Sequence, residues 1–112
     1  MVSTTKSPDS LQGALELLIL KTLALAPNHG FGITVHIQKA SEGLLRVEEG
    51  SLYPALHRLE RNSLVTAAWQ VTPNGRRARF YTLTADGQKR LGEAQESWLS
   101  LAAGVGKVLT FA

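Results

Sequence analysis

The stretch Glu49–Leu83, EGSLYPALHRLERNSLVTAAWQVTPNGRRARFYTL, decides the fold. Its first third reads as a helix over Gly50 to Asn62. Proline lacks an N–H and is comfortable only in a first turn, so Pro54 predicts a helix start at about Gly50 or Ser51, with the Ser51 hydroxyl as N-cap. At about 100° per residue, Leu52, Ala55, Leu56 and Leu59 share one face. Ser51, Pro54, Arg58 and Arg61 fall on the other, with His57 at the boundary. One face packs and the other is free to touch a partner. Beyond Leu64, Val65–Val71 (VTAAWQV) and Ala78–Leu83 (ARFYTL) are rich in β-branched and aromatic residues and flank the turn signal Thr72-Pro73-Asn74-Gly75. That pattern is a hairpin with Arg76, Arg77 and Arg79 at or just past its tip.

The charge of this stretch points to a polyanionic partner. Between Gly50 and Tyr81 five arginines oppose the single Glu60, a net of +4, whereas the whole chain carries only +3. The positive charge therefore belongs to the helix and hairpin rather than to the protein at large. All five are arginine, whose planar fork suits phosphate oxygens and guanine edges better than a lysine point charge. The expected partner is double-stranded DNA, with the helix in a groove and the hairpin as a wing on the backbone.

Working outward, Asp9 or Ser10 is placed to cap a first helix. Leu11, Leu15, Leu18, Ile19, Thr22 and Leu23 repeat at helical spacing until Pro27 stops it. Asn28-His29-Gly30 makes a corner. A second helix is expected over Phe31 to Ala40, with Phe31, Ile33, Ile37 and Ala40 inward and His36, Gln38 and Lys39 outward, ended by Gly43. The run Leu44–Glu49 (LLRVEE) is expected to add a short strand. Three helices followed by a hairpin is the order of a winged helix-turn-helix, in which the second helix braces the third.

After Leu83, Thr84 reads as the N-cap of a last helix. Its apolar residues Leu91, Ala94, Trp98, Leu101, Val105 and Val108 step by 3, 4, 3, 4, 3, the rhythm of a two-helix seam. The three-helix core is complete without it, so the expected partner is a second copy, through the same helix or that helix with the partner's first helix. Gly92, Gly104 and Gly106 weaken it, and fraying is expected near its end. The fold class is thus mainly α with a small β-hairpin. A frayed tail (1–9) precedes a winged helix-turn-helix (10–83) and a C-terminal dimerisation helix (84–112).

Composition excludes several other classes. At 112 residues and 44% hydrophobic, the chain is one small domain, marginal as a monomer, with no internal repeat or linker. It has no cysteine, which excludes disulfide scaffolds and zinc fingers and fits a cytoplasmic location. Leu11–Pro27 is interrupted by Gln12, Glu16 and Lys21, short of the roughly 18 uncharged residues of a membrane span. His29, His36 and His57 show no metal-ligand spacing, and no cofactor signature is present. Ser51 has neither a neighbouring base nor the glycines of a nucleophile elbow, so no enzyme is indicated.

Three stretches carry a family resemblance: LQGALELLILKTLALAPNHGFGI (Leu11–Ile33), VEEGSLYPALHRLE (Val47–Glu60) and NGRRARFYTLTADGQKRL (Asn74–Leu91). In order and spacing they resemble the PadR-like transcriptional regulators, specifically the smaller members with a single C-terminal helix. The resemblance implies a homodimeric bacterial repressor that binds a palindromic operator and, in many members, is released by a small hydrophobic or phenolic effector. It implies that Ser51, Tyr53, Pro54, His57 and Arg58 belong to the recognition-helix motif and Arg76, Arg77 and Arg79 to the wing. Phe80 departs from the tyrosine common there. The tail after Leu91 varies within the family, so the effector does not carry over.

Some residues admit two roles. Tyr53 suits a core position or a phosphate contact. Tyr81 alternates with Leu83 and is expected inside. Trp98 and Trp69 suit simple packing, or an effector pocket, with Trp98 and its dimer mate as walls at the two-fold axis. The rival to DNA binding is a winged helix used as a protein-interaction module, its basic face meeting an acidic partner.

Overall fold

A computed structural model describes residues 11–112. The tail of residues 1–9 and the caps expected at Asp9 or Ser10 lie outside the described residues. Seven elements follow in order: α1 (Leu11–Leu25), β1 (Asn28–His29), α2 (Gly30–Ala40), α3 (Glu49–Arg61), β2 (Val65–Val71), β3 (Arg77–Leu83) and α4 (Ala85–Thr110). Helix α1 ends two residues before Pro27 and packs against α2, α3 and α4. That central place explains why its buried set, Leu15, Leu17, Ile19, Leu20, Thr22 and Leu23, is wider than one stripe. The Thr22 hydroxyl donates to the Leu18 carbonyl at 2.8 Å, so a buried polar group is satisfied.

The core joins these residues to Ile33 and Ile37 of α2, Leu52, Ala55, Leu56 and Leu59 of α3, then Leu64, Val65, Tyr81 and Leu91. The four α3 residues are the face expected to pack. Helix α2 buries less than expected, because only one edge of it meets the core. Ile33 and Ile37 are buried, but Phe31 and Ala40 are exposed.

Two further expectations are corrected. Leu44–Glu48 forms no strand and runs as a loop into α3. Helix α3 begins at Glu49, with Glu48 as an N-cap that makes no side-chain cap bond, so Ser51 lies inside the first turn. Pro54 therefore sits one turn deeper than expected. Its missing N–H leaves the Gly50 carbonyl without its usual helical partner.

The hairpin forms where the turn signal placed it. The Gly75 N–H donates to the Thr72 carbonyl at 2.9 Å and the Thr72 N–H to the Arg76 carbonyl at 2.7 Å. Gly75 takes φ +84°, a left-handed conformation that side chains disfavour. The sheet has a third strand that sequence reading missed: β1 pairs with β3, giving the antiparallel order β1-β3-β2. Asn28 lies opposite Tyr81 and His29 opposite Phe80, where the two rings meet edge to face at 5.1 Å.

Helix α4 starts as expected, with the Thr84 hydroxyl accepting from the Gly87 N–H at 2.9 Å. That hydroxyl also donates to the Ser63 carbonyl at 2.8 Å, which ties the start of α4 to the end of α3. The helix runs unbroken through Gly104 and Gly106 to Thr110. Its 26 residues span roughly 39 Å at 1.5 Å each.

Candidate nucleic-acid interface

Strand register decides which arginines meet the third helix. Trp69 pairs with Arg79 and Ala67 with Tyr81, so alternation puts Ala67, Trp69, Arg77, Arg79 and Tyr81 on one face of the sheet. Tyr81 of that face is buried in the core. Burial holds its phenol above the ordinary value, an effect the Arg79 charge opposes. Arg79 and Arg77 extend the same face outward. Arg76 lies in the turn instead, exposed to solvent.

That face closes one side of a groove of about 400 Å³. Tyr53 and His57, one turn apart on α3, form a second side, and His29, Gly30 and Phe31 at the start of α2 form the third. Close approach at Gly30 sets the floor, since a Cβ there would stand 2.5 Å from the Tyr53 hydroxyl oxygen. Tyr53 is thus neither a core residue nor free; its phenol leans on α2 while 39% of the residue stays exposed. His29 fixes the corner by accepting the Gly32 N–H on Nδ1 at 3.1 Å, a helix cap that sequence reading missed.

Apart from Arg76 in the turn, the predicted DNA-contact residues divide into three sets. Tyr53, His57, Arg77 and Arg79 come together around the groove. Ser51, Pro54 and Arg61 lie exposed along α3. Arg58 turns toward α1, its Nε donating to Glu16 Oε2 at 2.9 Å. Arg79 is likewise held, its terminal nitrogen 2.8 Å from Glu60 Oε2. Arg77 has an aromatic partner, its guanidinium carbon 5.0 Å from the centre of the Trp69 ring. Among the described residues, Arg61, Arg76 and Arg77 have no carboxylate partner. Of the five arginines on the helix and wing, these three are the ones most available to phosphates.

The C-terminal stripe also divides. Leu91 is buried in the chain's own core and Ala94 packs against it. Trp98, Val105 and Val108 stay exposed, and Leu101 is partly covered. With Ser97, Gly104 and Leu109, Leu101, Val105 and Val108 line a shallow groove along α4. Trp69 stands on the wing, in a hollow to which Trp98 contributes nothing. Among the described residues, no His, Asp or Glu cluster could hold a metal ion. No described helix is long and apolar enough to cross a membrane.

Helices α1 to α3 with a basic three-stranded wing and a long terminal helix define a winged helix-turn-helix protein of the DNA-binding regulator type. Residues 19–93 match the Transcriptional regulator PadR-like family, and the chain belongs to it. The family is one of regulators rather than enzymes. The transcriptional regulator Rv3488 of Mycobacterium tuberculosis is 36% identical over 91 residues, covering 81% of each chain. A PadR-like transcriptional regulator of Bacillus cereus superposes with a TM-score of 0.77 at 26% identity, over 91% of this chain and 97% of that one. A PadR family regulator of Eggerthella lenta gives 0.75 at 28% identity, over 90% and 86%.

Proposed function

We propose that the protein is a cytoplasmic repressor that binds a palindromic operator as a homodimer. The two α3 helices enter successive major grooves about 34 Å apart while the wings grip flanking backbone. The observation that carries this reading is the groove that joins Tyr53 and His57 of α3 to Arg77 and Arg79 of the wing on one surface. Phosphate neutralisation by Arg61, Arg76 and Arg77 supplies most of the affinity, and α3 side chains, with Ser51, His57 and Arg58 foremost, supply selectivity.

Dimerisation uses the part of α4 that the protomer leaves uncovered, from Trp98 to Val108. A small hydrophobic or phenolic effector at that seam, beside Trp98, acts by preferring one spacing of the two heads. A ligand without such a preference shifts nothing. Salt titration of duplex binding tests the DNA reading. The affinity falls with a log–log slope of roughly −0.9 per phosphate contacted. An affinity for DNA that ignores salt, or no binding at all, rejects it in favour of a protein-binding role.

A further inference from the structure

Arg58 and Glu16 stand 42 residues apart, yet their side chains form one of the two ion pairs among the described residues. Both ends are rigidly mounted. Glu16 sits on α1 between the buried Leu15 and Leu17, and Arg58 on α3 beside the buried Leu59. The pair is about a quarter exposed at each side chain, 28% and 27%, so it borders solvent and remains within reach of a ligand. The carboxylate engages Nε alone, at 2.9 Å. The two terminal nitrogens of Arg58, the end that recognises a guanine edge or a phosphate, have no partner among the described residues.

We propose that Glu16, which lies outside the recognition helix and the wing, is a specificity-determining positioning residue that holds Arg58 for base contact and cancels its attraction to random phosphate. The proposal rests on the DNA-binding reading above. Two physical consequences of the pairing favour it. First, non-specific affinity follows the net charge presented to the duplex, and Arg58 with Glu16 presents none. Second, a base contact depends on direction, and a guanidinium fixed at Nε keeps its fork at one angle. Glu16 thereby lowers binding to the wrong sequence while preserving binding to the right one. Among the described residues, Arg61, Arg76 and Arg77 lack such a carboxylate and remain general phosphate contacts.

The test compares wild type with Glu16→Gln on two probes. One is a duplex enriched from a random library by the wild-type protein, and the other is a scrambled duplex of equal length and composition. The variant is expected to bind the scrambled duplex several-fold more tightly, with a log–log salt slope steeper by roughly 0.9 per protomer. Discrimination between the probes falls roughly tenfold, within the worth of one good base contact. In an Arg58→Ala background, Glu16→Gln should leave the discrimination ratio where Arg58→Ala put it. The Arg58→Lys variant, which keeps the charge without the fork, should weaken the enriched duplex and spare the scrambled one.

An unchanged ratio in Glu16→Gln, or an equal loss on both probes, assigns the pair to bracing α1 against α3 and overturns the proposal. The same change with and without Arg58 makes Glu16 an ordinary surface charge, which also overturns it. A wild-type protein that enriches no duplex defeats the DNA-binding reading itself. Enrichment by wild type with an unaltered ratio in the variant defeats only the role given to Glu16.

Discussion

Arg79 on β3 reaches across to α3 and donates to Glu60 at 2.8 Å, so an ion pair ties the wing to the third helix beside the packing that the core already supplies. The pair is partly exposed, at 41% and 33% of the two side chains. Exposed pairs of this kind contribute about 0.2–1 kcal/mol. Glu60→Gln is therefore expected to lower stability by less than about 1 kcal/mol in urea denaturation. Amide exchange should nevertheless quicken in Arg77–Thr82 and hold steady in α3, because the wing loses its strut while the helix keeps its core face. Equal protection in the wing would show that the hairpin needs no such tie.

A second expectation concerns Gly87, whose sign separates packing from propensity. Alanine is favoured over glycine in a helix by about 1 kcal/mol, so propensity alone makes Gly87→Ala stabilising. The structure argues the reverse, since a Cβ there would run into the Leu64 carbonyl oxygen and the Leu83 side chain. The backbone oxygen cannot swing aside as a flexible side chain could, and overpacking of this kind costs about 1–3 kcal/mol. A lowered midpoint in thermal unfolding is expected. A raised one would mean that the start of α4 slides freely over the hairpin.

These cases mark what the chain's letters reveal and what they hide. The α3 stripe, the Thr72–Gly75 turn and the Thr84 cap are legible because each depends on residues within a few positions of one another. Strand β1 is not, since two residues cannot display a period. The His29 cap is hidden for a related reason: histidine is an uncommon cap, and only the Nδ1 contact reveals it. The pairs Glu16–Arg58 and Glu60–Arg79 join residues 42 and 19 apart, so the sequence showed five arginines between Gly50 and Tyr81 but not which were already engaged. Phe31 misled because apolar spacing marks an inward face only where something covers it. In the folded chain it faces the groove instead.

High pH should expose the burial of Tyr81. Its phenol titrates above the ordinary value, chiefly because burial penalises the phenolate. The unfolded chain then loses this proton first as pH rises, and stability falls between the unfolded value of 10.0 and the raised folded one. Below that window the contribution is fully present. Urea midpoints measured from pH 9 upward should decline less in Tyr81→Phe than in wild type. Parallel declines would show that the folded phenol pays no penalty for ionising.

On the wing, Arg77 lies against Trp69 and is in no ion pair among the described residues. Arg77→Ala is expected to weaken enriched and random duplexes alike and to flatten the salt slope by roughly 0.9 per protomer, as loss of one phosphate contact requires. Trp69→Ala should do part of the same, since it removes the ring that orders the guanidinium and leaves the charge. Loss confined to the enriched duplex would assign Arg77 to base reading.

The assembly test turns on choosing the right position along α4. Leu91→Asp would be uninformative, because Leu91 is buried in the protomer's own core and a charge there unfolds the chain whatever its oligomeric state. Leu101 lies two turns beyond Ala94 and is only partly covered within one chain. An aspartate at that point can stay solvated in a monomer yet would be trapped between two helices in a dimer. Leu101→Asp is therefore expected to give folded monomers in sedimentation velocity, with little loss of helical circular dichroism and a thermal midpoint no longer dependent on concentration. The same variant should bind single half-sites weakly and lose the cooperative grip on a full palindrome. A mass equal to that of wild type would place the contact between copies elsewhere on the molecule.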